Sequence, residues 1–203
     1  MRGCVEEGSA RGFTLEAFQL ALAKIAKEVR AKRFVVVHSD AALARVLARE
    51  IAEATGDGVS SGNFEQMREL LTQDCCVLVS PAQAARAAQE LREVPYRIVG
   101  LKSMEEILAG RPQPGANALI GVVSRSETIL GWAGTLLSAL GFPPAAVLKR
   151  NPERRGWRRG LTACDIVASD VEAMDALPAG VKAPVLRILS DEFLCEMREL
   201  VAG

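Results

Sequence analysis

The 203-residue chain has a single histidine, His38, and no surplus of charge, with 25 Lys and Arg balanced by 25 Asp and Glu. One imidazole excludes a multi-histidine metal site and leaves a Ser-His-Asp arrangement only His38 to use. A histidine at the end of an apolar run is more often packed or hydrogen-bonded than a base, so no catalytic residue is assigned. Balanced charge gives no overall field to hold DNA or an anionic membrane, and any nucleic-acid contact would have to come from a local patch or another domain. No apolar run approaches the roughly 20 residues a spanning helix needs. The start Met1-Arg2-Gly3-Cys4-Val5-Glu6-Glu7 lacks a signal-peptide core, so a cytoplasmic protein without a membrane partner is expected.

Three nucleotide, metal and redox signatures are also missing: a Walker-type glycine loop, a GxGxxG after a strand, and a Cys-x-x-Cys pair. No metal or cofactor is expected. The five cysteines, Cys4, Cys75, Cys76, Cys164 and Cys195, are odd in number and irregularly spaced, which fits reduced thiols in a core rather than a disulfide framework.

What is present is a repetition. Hydrophobic residues make up 49% of the chain, enough for a sizeable core, and they fall in an order of strands and helices that runs twice. Val35-Val36-Val37-His38-Ser39 recurs as Gly121-Val122-Val123-Ser124, and Val59-Ser60-Ser61-Gly62-Asn63 recurs as Val147-Leu148-Lys149-Arg150-Asn151. Val77-Leu78-Val79-Ser80 matches Ile166-Val167-Ala168-Ser169, and Arg97-Ile98-Val99 matches Arg187-Ile188-Leu189. The offset stays between about 85 and 90 residues, as loop insertions allow. Strands alternating with helices predict α/β architecture: two similar Rossmann- or flavodoxin-like lobes from an internal duplication, with a cleft between them suited to a small ligand.

The expected division is an N-terminal linker or dimerisation helix over 1–33, a first lobe over 34–110 and a second over 111–203. Leu15, Phe18, Leu22 and Ile25 share one face of the N-terminal helix, with Thr14 as its cap. The segment 109–117, with two prolines and two glycines, is the best linker. Ser80 before Pro81 marks a helix start, and Ser103/Glu106, Ser124/Glu127 and Ser169/Glu172 have capping-box spacing.

Ligands of parallel sheets bind at the carboxyl ends of the strands, where helix N-termini converge. That rim is expected to carry Ser39, Asp40, Ser60, Ser61, Asn63 and Ser80 from the first lobe. From the second come Ser124, Arg125, Ser126, Asn151, Ser169 and Asp170. Ser124-Arg125-Ser126 at a helix start suits a carboxylate or phosphate. The same serines and aspartates are also ordinary N-caps, and only their occurrence in both halves favours a cleft. The stretch Lys149–Arg159, six basic residues around Trp157, reads first as a solvated loop and second as a phosphate grip.

Two-lobed enzymes offer a comparison. Aspartate and glutamate racemases place each catalytic cysteine after its strand, whereas Cys75, Cys76 and Cys164 precede theirs. Val79-Ser80-Pro81-Ala82-Gln83-Ala84 with Val99-Gly100 is faintly similar to uroporphyrinogen-III synthase, an alternative kept beside a ligand-free interaction module. The fuller resemblance is to the effector-binding portion of GntR-type transcriptional regulators, whose sensor is similar to periplasmic binding proteins. It is carried by Ala10–Phe18, Phe34–Val37, Asp74 before a buried strand, and Val122-Val123-Ser124, and it is one of order and spacing. It implies a small-molecule effector held in the cleft, a homodimer whose arrangement the ligand alters, and DNA contact only through a winged-helix domain not present in this chain.

Overall fold

The computed structural model describes residues 33–56, 58–71, 75–92, 94–103, 106–107, 115 and 117–202. The helix expected over 13–26, Asp74, and all of the expected linker except residues 115 and 117 lie outside these.

Two four-stranded parallel sheets form the framework. The first half runs β1 (Arg33–Val37), α1 (Ala41–Thr55), β2 (Val59–Gly62), α2 (Met67–Leu70), β3 (Cys75–Val79), a 3-10 turn at Pro81–Gln83, α3 (Ala84–Glu90) and β4 (Tyr96–Ile98). The second runs β5 (Ile120–Val123), α4 (Glu127–Ala139), β6 (Val147–Arg150), β7 (Ile166–Asp170) and β8 (Val185–Leu186), then α5 (Asp191–Ala202). Strand orders β2-β1-β3-β4 and β6-β5-β7-β8 are the same arrangement twice, so the α/β reading with two Rossmann-like sheets holds.

Both faces of the first sheet are buried, which is why β1 and β3 are continuous apolar runs. Phe34, Val36 and Leu78 pack under α1, while Val35, Val37, Val77 and Val79 face Phe64, Met67, Ala87 and Leu91. Helix α1 repeats apolar residues at helical spacing, Leu43, Val46, Leu47 and Ile51, on the stripe that meets the sheet. It stops at Gly56, whose φ of 92° a side chain would disfavour.

The second half departs from the expected alternation. After β6 and β7 there are only 3-10 turns, Leu161–Ala163 and Met174–Ala176, where helices were expected. Gly156 and Gly160 have positive φ, and Pro178, Gly180 and Pro184 break the next stretch. Helix α5 does not cover the second sheet. It lies against α1, with Phe193 and Met197 buried in the core of the first half.

The chain passes between the sheets after β4 and again after β8, and the two passages pair antiparallel. Leu101 faces Leu189, Lys102 N–H donates to Ile188 (2.8 Å) and Ser190 N–H to Gly100 (3.0 Å). Strand register corrects two of the sequence matches. Val79 sits opposite Val37 as Ser169 sits opposite Val123, so the counterpart of Ser80 is Asp170 rather than Ser169. Ile98 corresponds to Val185, not Ile188. The β2 and β6 match stands, because Val59 and Val147 pair with Phe34 and Ile120 in the same way.

Candidate functional site

The carboxyl edges of the two sheets meet at Asp40. Its backbone is extended, and Oδ1 accepts from Ala42 and Leu43 N–H, both at 3.0 Å, capping α1. Oδ2 reaches across to the second half, accepting from the hydroxyls of Ser126 (2.7 Å) and Thr128 (2.8 Å) and from Thr128 N–H (3.2 Å). Ser126 Oγ in turn accepts from Ile129 N–H at 3.1 Å and caps α4. One carboxylate therefore ties together the N-termini of equivalent helices from the two halves. Burial works to raise the Asp40 carboxyl, but the hydrogen bonds from Ser126, Leu43 and Thr128 outweigh it and hold it below the ordinary value.

Ser126 is the cap of α4, so the capping box expected for Ser124 and Glu127 is not made. Ser124 Oγ instead accepts from Ser126 N–H at 2.9 Å. The box at Ser169 and Glu172 also fails, since no helix starts there and Asp170 Oδ1 takes Glu172 and Ala173 N–H, both at 2.9 Å. The box at Ser103 and Glu106 forms in both directions, at 2.7 and 3.2 Å. Ser80 does precede a 3-10 turn, but its side chain caps nothing.

The expected rim residues divide accordingly. Asp40, Ser80, Ser124, Arg125, Ser126 and Asn151 stand just beyond strand ends. Ser39 is also there and is exposed. Ser60 and Ser61 lie inside β2 and Ser169 inside β7, short of the edge, because each strand continues past them. Ser169 Oγ donates to Asp170 O at 3.2 Å and is fully buried. Arg125 donates to Glu172 O, so its guanidinium is partly committed. Asn151 Nδ2 donates to Arg125 O (3.3 Å) and Glu127 Oε1 (3.1 Å), bracing the start of α4.

Three buried side-chain atoms at these strand ends have no hydrogen-bond partner among the described residues: His38 Nε2, Ser80 Oγ and Asp170 Oδ2. Their residues are at most 3% exposed. Register makes His38 and Ser80 neighbours just beyond β1 and β3, and it places Ser124, just beyond β5, and Asp170, the last residue of β7, at the matching positions. His38 Nδ1 accepts from Asp40 N–H at 2.8 Å, so the neutral ring carries its proton on Nε2 and offers a donor. Burial lowers the His38 pKa, against the pull of Asp40, and favours that neutral form. Burial raises the Asp170 carboxyl, opposed by the nearby Ser124 hydroxyl, by the N–H groups of Ala173 and Glu172 and by Arg125.

A second buried carboxylate went unnoticed in the sequence. Glu50, 1% exposed, lies on the apolar stripe of α1. It accepts from Ile188 N–H at 3.0 and 3.1 Å and from Leu189 N–H at 3.0 Å, fastening the returning passage to the first sheet's helix. Burial pushes its pKa up to about 7, against the Leu189 and Ile188 N–H groups, Arg187 and Lys102. The available signal was a charged residue seven positions after Leu43 on a stripe otherwise apolar.

The four described cysteines are free and sit at the margins of the packing rather than in the core, with Cys195 exposed. Among the described residues no group of three or more His, Cys, Asp or Glu is placed to hold a metal, and no helix is long and apolar enough to cross a membrane. The chain matches no family model, no curated protein and no solved structure.

Proposed function

We propose that the chain is a cytoplasmic small-molecule sensing domain of a GntR-type transcriptional regulator, built as a periplasmic-binding-protein-like pair of lobes with a polar metabolite held between their carboxyl edges. The observation that carries this reading is the set of unpartnered buried atoms, His38 Nε2, Ser80 Oγ and Asp170 Oδ2. A buried polar group without a partner costs about 1–3 kcal/mol, and three at the carboxyl ends of the two sheets are a cost that a ligand would offset. They specify complementary chemistry. The ligand presents an acceptor to His38 and a donor to Asp170, with Ser80 able to serve either, which fits an amino acid or a hydroxylated organic acid. Ser124 Oγ already accepts from Ser126 N–H and Ser126 Oγ caps α4, so Arg125 is the member of the expected Ser124-Arg125-Ser126 grip best able to meet an anionic end.

The hydrogen bonds from Ser126 and Thr128 to Asp40 supply the element through which binding would be felt. They exist only in the arrangement that brings α1 and α4 together, so a ligand that favours or opposes that arrangement shifts a two-state balance. In a homodimeric regulator this shift would alter how two sensors pair, with DNA contacted by a winged-helix domain.

The test is a thermal-shift screen against amino acids, organic acids and sugar phosphates, repeated with Ser80→Ala and Arg125→Ala. A compound that raises the melting temperature of the parent, and does so less in both variants, supports the reading, because binding to the native state must stabilise it. A panel with no stabilising compound, or a shift that survives both substitutions unchanged, counts against it.

A further inference from the structure

We propose a second binding site, for a compact multivalent oxyanion such as a phosphate chain, in the basic groove beside α4. It lies outside the Asp40 junction, where the loop after β6 folds back past the first turns of α4. The groove has a volume of about 580 Å³ and is lined by Lys149, Arg154, Arg155, Arg159, Trp157 and Glu127, among others.

This basic stretch is solvent-exposed, as expected, but its backbone is ordered by hydrogen bonds. Successive turns hold it: Arg154 N–H donates to Asn151 (3.0 Å), Trp157 to Arg154 (3.3 Å), Arg159 to Gly156 (3.0 Å) and Leu161 to Arg158 (3.2 Å). Arg150 clamps the far end, with Nε and Nη2 on Arg159 O at 3.2 and 3.1 Å. Trp157 packs with Leu148 and Cys164 against the second sheet and anchors the middle. The lysine is placed as well, lying across Gly134 of α4 in the space a Cβ would fill. Four cationic side chains from one stretch of the chain, Lys149 to Arg159, are thus carried around one opening by fixed backbone.

Such convergence has a cost in self-repulsion, because like charges gathered around one opening repel even in water. The carboxylate among the lining groups is Glu127, and it is shared between Asn151 Nδ2 (3.1 Å) and Arg154 at 3.8 Å, with both ionic partners largely exposed. A surface pair of that kind neutralises little. The remaining cations fit an anion carrying several charges, and guanidinium forks grip phosphate oxygens two at a time. Size and charge favour a small ligand over nucleic acid. The volume is that of a small-molecule site, the positive residues are confined to one loop, and the chain as a whole is neutral, without the field that carries a protein along a polynucleotide. The corresponding stretch after β2, Asn63-Phe64-Glu65-Gln66-Met67, is not basic, so this site belongs to the second half alone.

The two tryptophans make the test direct. Trp132→Phe leaves Trp157 as the sole indole. Its fluorescence is followed during titration with tripolyphosphate, orthophosphate and sulfate at constant ionic strength. The expected result is saturable binding of tripolyphosphate, tighter than that of either monomeric anion. Arg154→Gln and Arg155→Gln should each weaken it by about tenfold, the loss of one charge-assisted contact. Both arginines are exposed, so melting temperature should not move. Absence of saturation, equal affinity for the three anions, or affinity unaffected when Arg154→Gln and Arg155→Gln are combined would overturn the proposal. So would tighter binding of a short oligonucleotide than of tripolyphosphate at matched phosphate count, which would make the groove a nucleic-acid contact.

Discussion

The two halves share a strand order but not a core. In the first, α1 and the returning helix α5 cover one face of the sheet and α2 and α3 the other, and fifteen buried residues form one cluster on the α1 side. In the second, the clusters on the two faces hold four buried residues each, and turns replace two of the expected helices. Helix α4 and its C-cap also remain partly uncovered, with Trp132 40% and the capping Leu140 45% exposed. The cause is the path of the chain. By packing on α1, α5 adds Phe193 and Met197 to the first core and gives nothing to the sheet it follows. Duplicated sequence need not give equal stability: the first half is the denser support, and the second carries the more polar loops.

The largest effect should come from removing the contribution of α5. Met197→Ala, at a position with no exposed surface, is expected to cost about 2–5 kcal/mol, whereas Leu130→Ala in the smaller second cluster should lie at the low end of that range. Denaturant melts of both variants test this. Equal losses would mean that the second core is as well packed as the first.

Next comes Glu50, whose counterpart by register in α4 is the partly buried Leu136. Among the described residues, only the first half's helix fastens a passage with a buried carboxylate, holding the one that returns from β8. Glu50→Ala leaves the Ile188 and Leu189 N–H groups without that acceptor, an expected loss of about 1–3 kcal/mol. The group also has a pH signature. Its folded pKa of about 7 lies above the ordinary 4.5, so the folded chain holds the proton more tightly than the unfolded one. Its contribution to stability is therefore full below about pH 4.5 and is lost as pH rises toward 7, on the order of 3 kcal/mol in all. His38, with its lowered pKa, contributes in the opposite direction: stability present above its unfolded pKa and lost as pH falls below it. Comparing parent with Glu50→Gln cancels that part. The parent should lose stability relative to the variant between pH 5 and 7, and parallel pH profiles would rule out the buried-carboxylate account.

At the junction, Asp40→Ala removes the cap of α1 and the inter-half bonds together, while Ser126→Ala removes the cap of α4 and one bond to Asp40. A cap is worth about 1 kcal/mol, so the aspartate variant should lose more than the serine variant by roughly the value of the extra hydrogen bonds, about 1 kcal/mol. Hydrogen exchange at Leu43 and Ile129 would show which helix start loosens in each.

Much of this was legible in the sequence. Apolar runs ending in polar residues located β1, β3, β5 and β7, and the match of Val59 with Val147 gave the right register, because strand period and landmark agreed. The match of Ser80 with Ser169 failed because it followed residue identity where the pairing follows the ladder, and a slip of one residue moves a side chain to the opposite face. Ser169 and Asp170 were both expected at the rim, and of the two it is Asp170 that carries the orphaned oxygen. The path of α5 was not readable from its own pattern, since an amphipathic helix records that it has a partner and not which one. Nor was the role of Thr128, which depends on Asp40 reaching across from a residue far away in the chain.

The smallest effect on stability should also be the most informative about function. Ser80 Oγ is buried and makes no hydrogen bond, so in the ligand-free chain Ser80→Ala removes a desolvated hydroxyl and little else. The expected change is within about 0.5 kcal/mol of zero, and of stabilising sign, since the alanine methyl has no lost partner to compensate. Ser126→Ala, at an equally buried hydroxyl that does make bonds, should be destabilising by comparison. If a ligand completes the Ser80 hydroxyl, the order reverses on binding: Ser80→Ala loses the ligand-induced stabilisation that Ser126→Ala, whose bonds are internal, retains. A Ser80→Ala chain that is strongly destabilised without ligand would show that the hydroxyl already has a partner in solution, and it would remove one of the three atoms on which the cleft site stands.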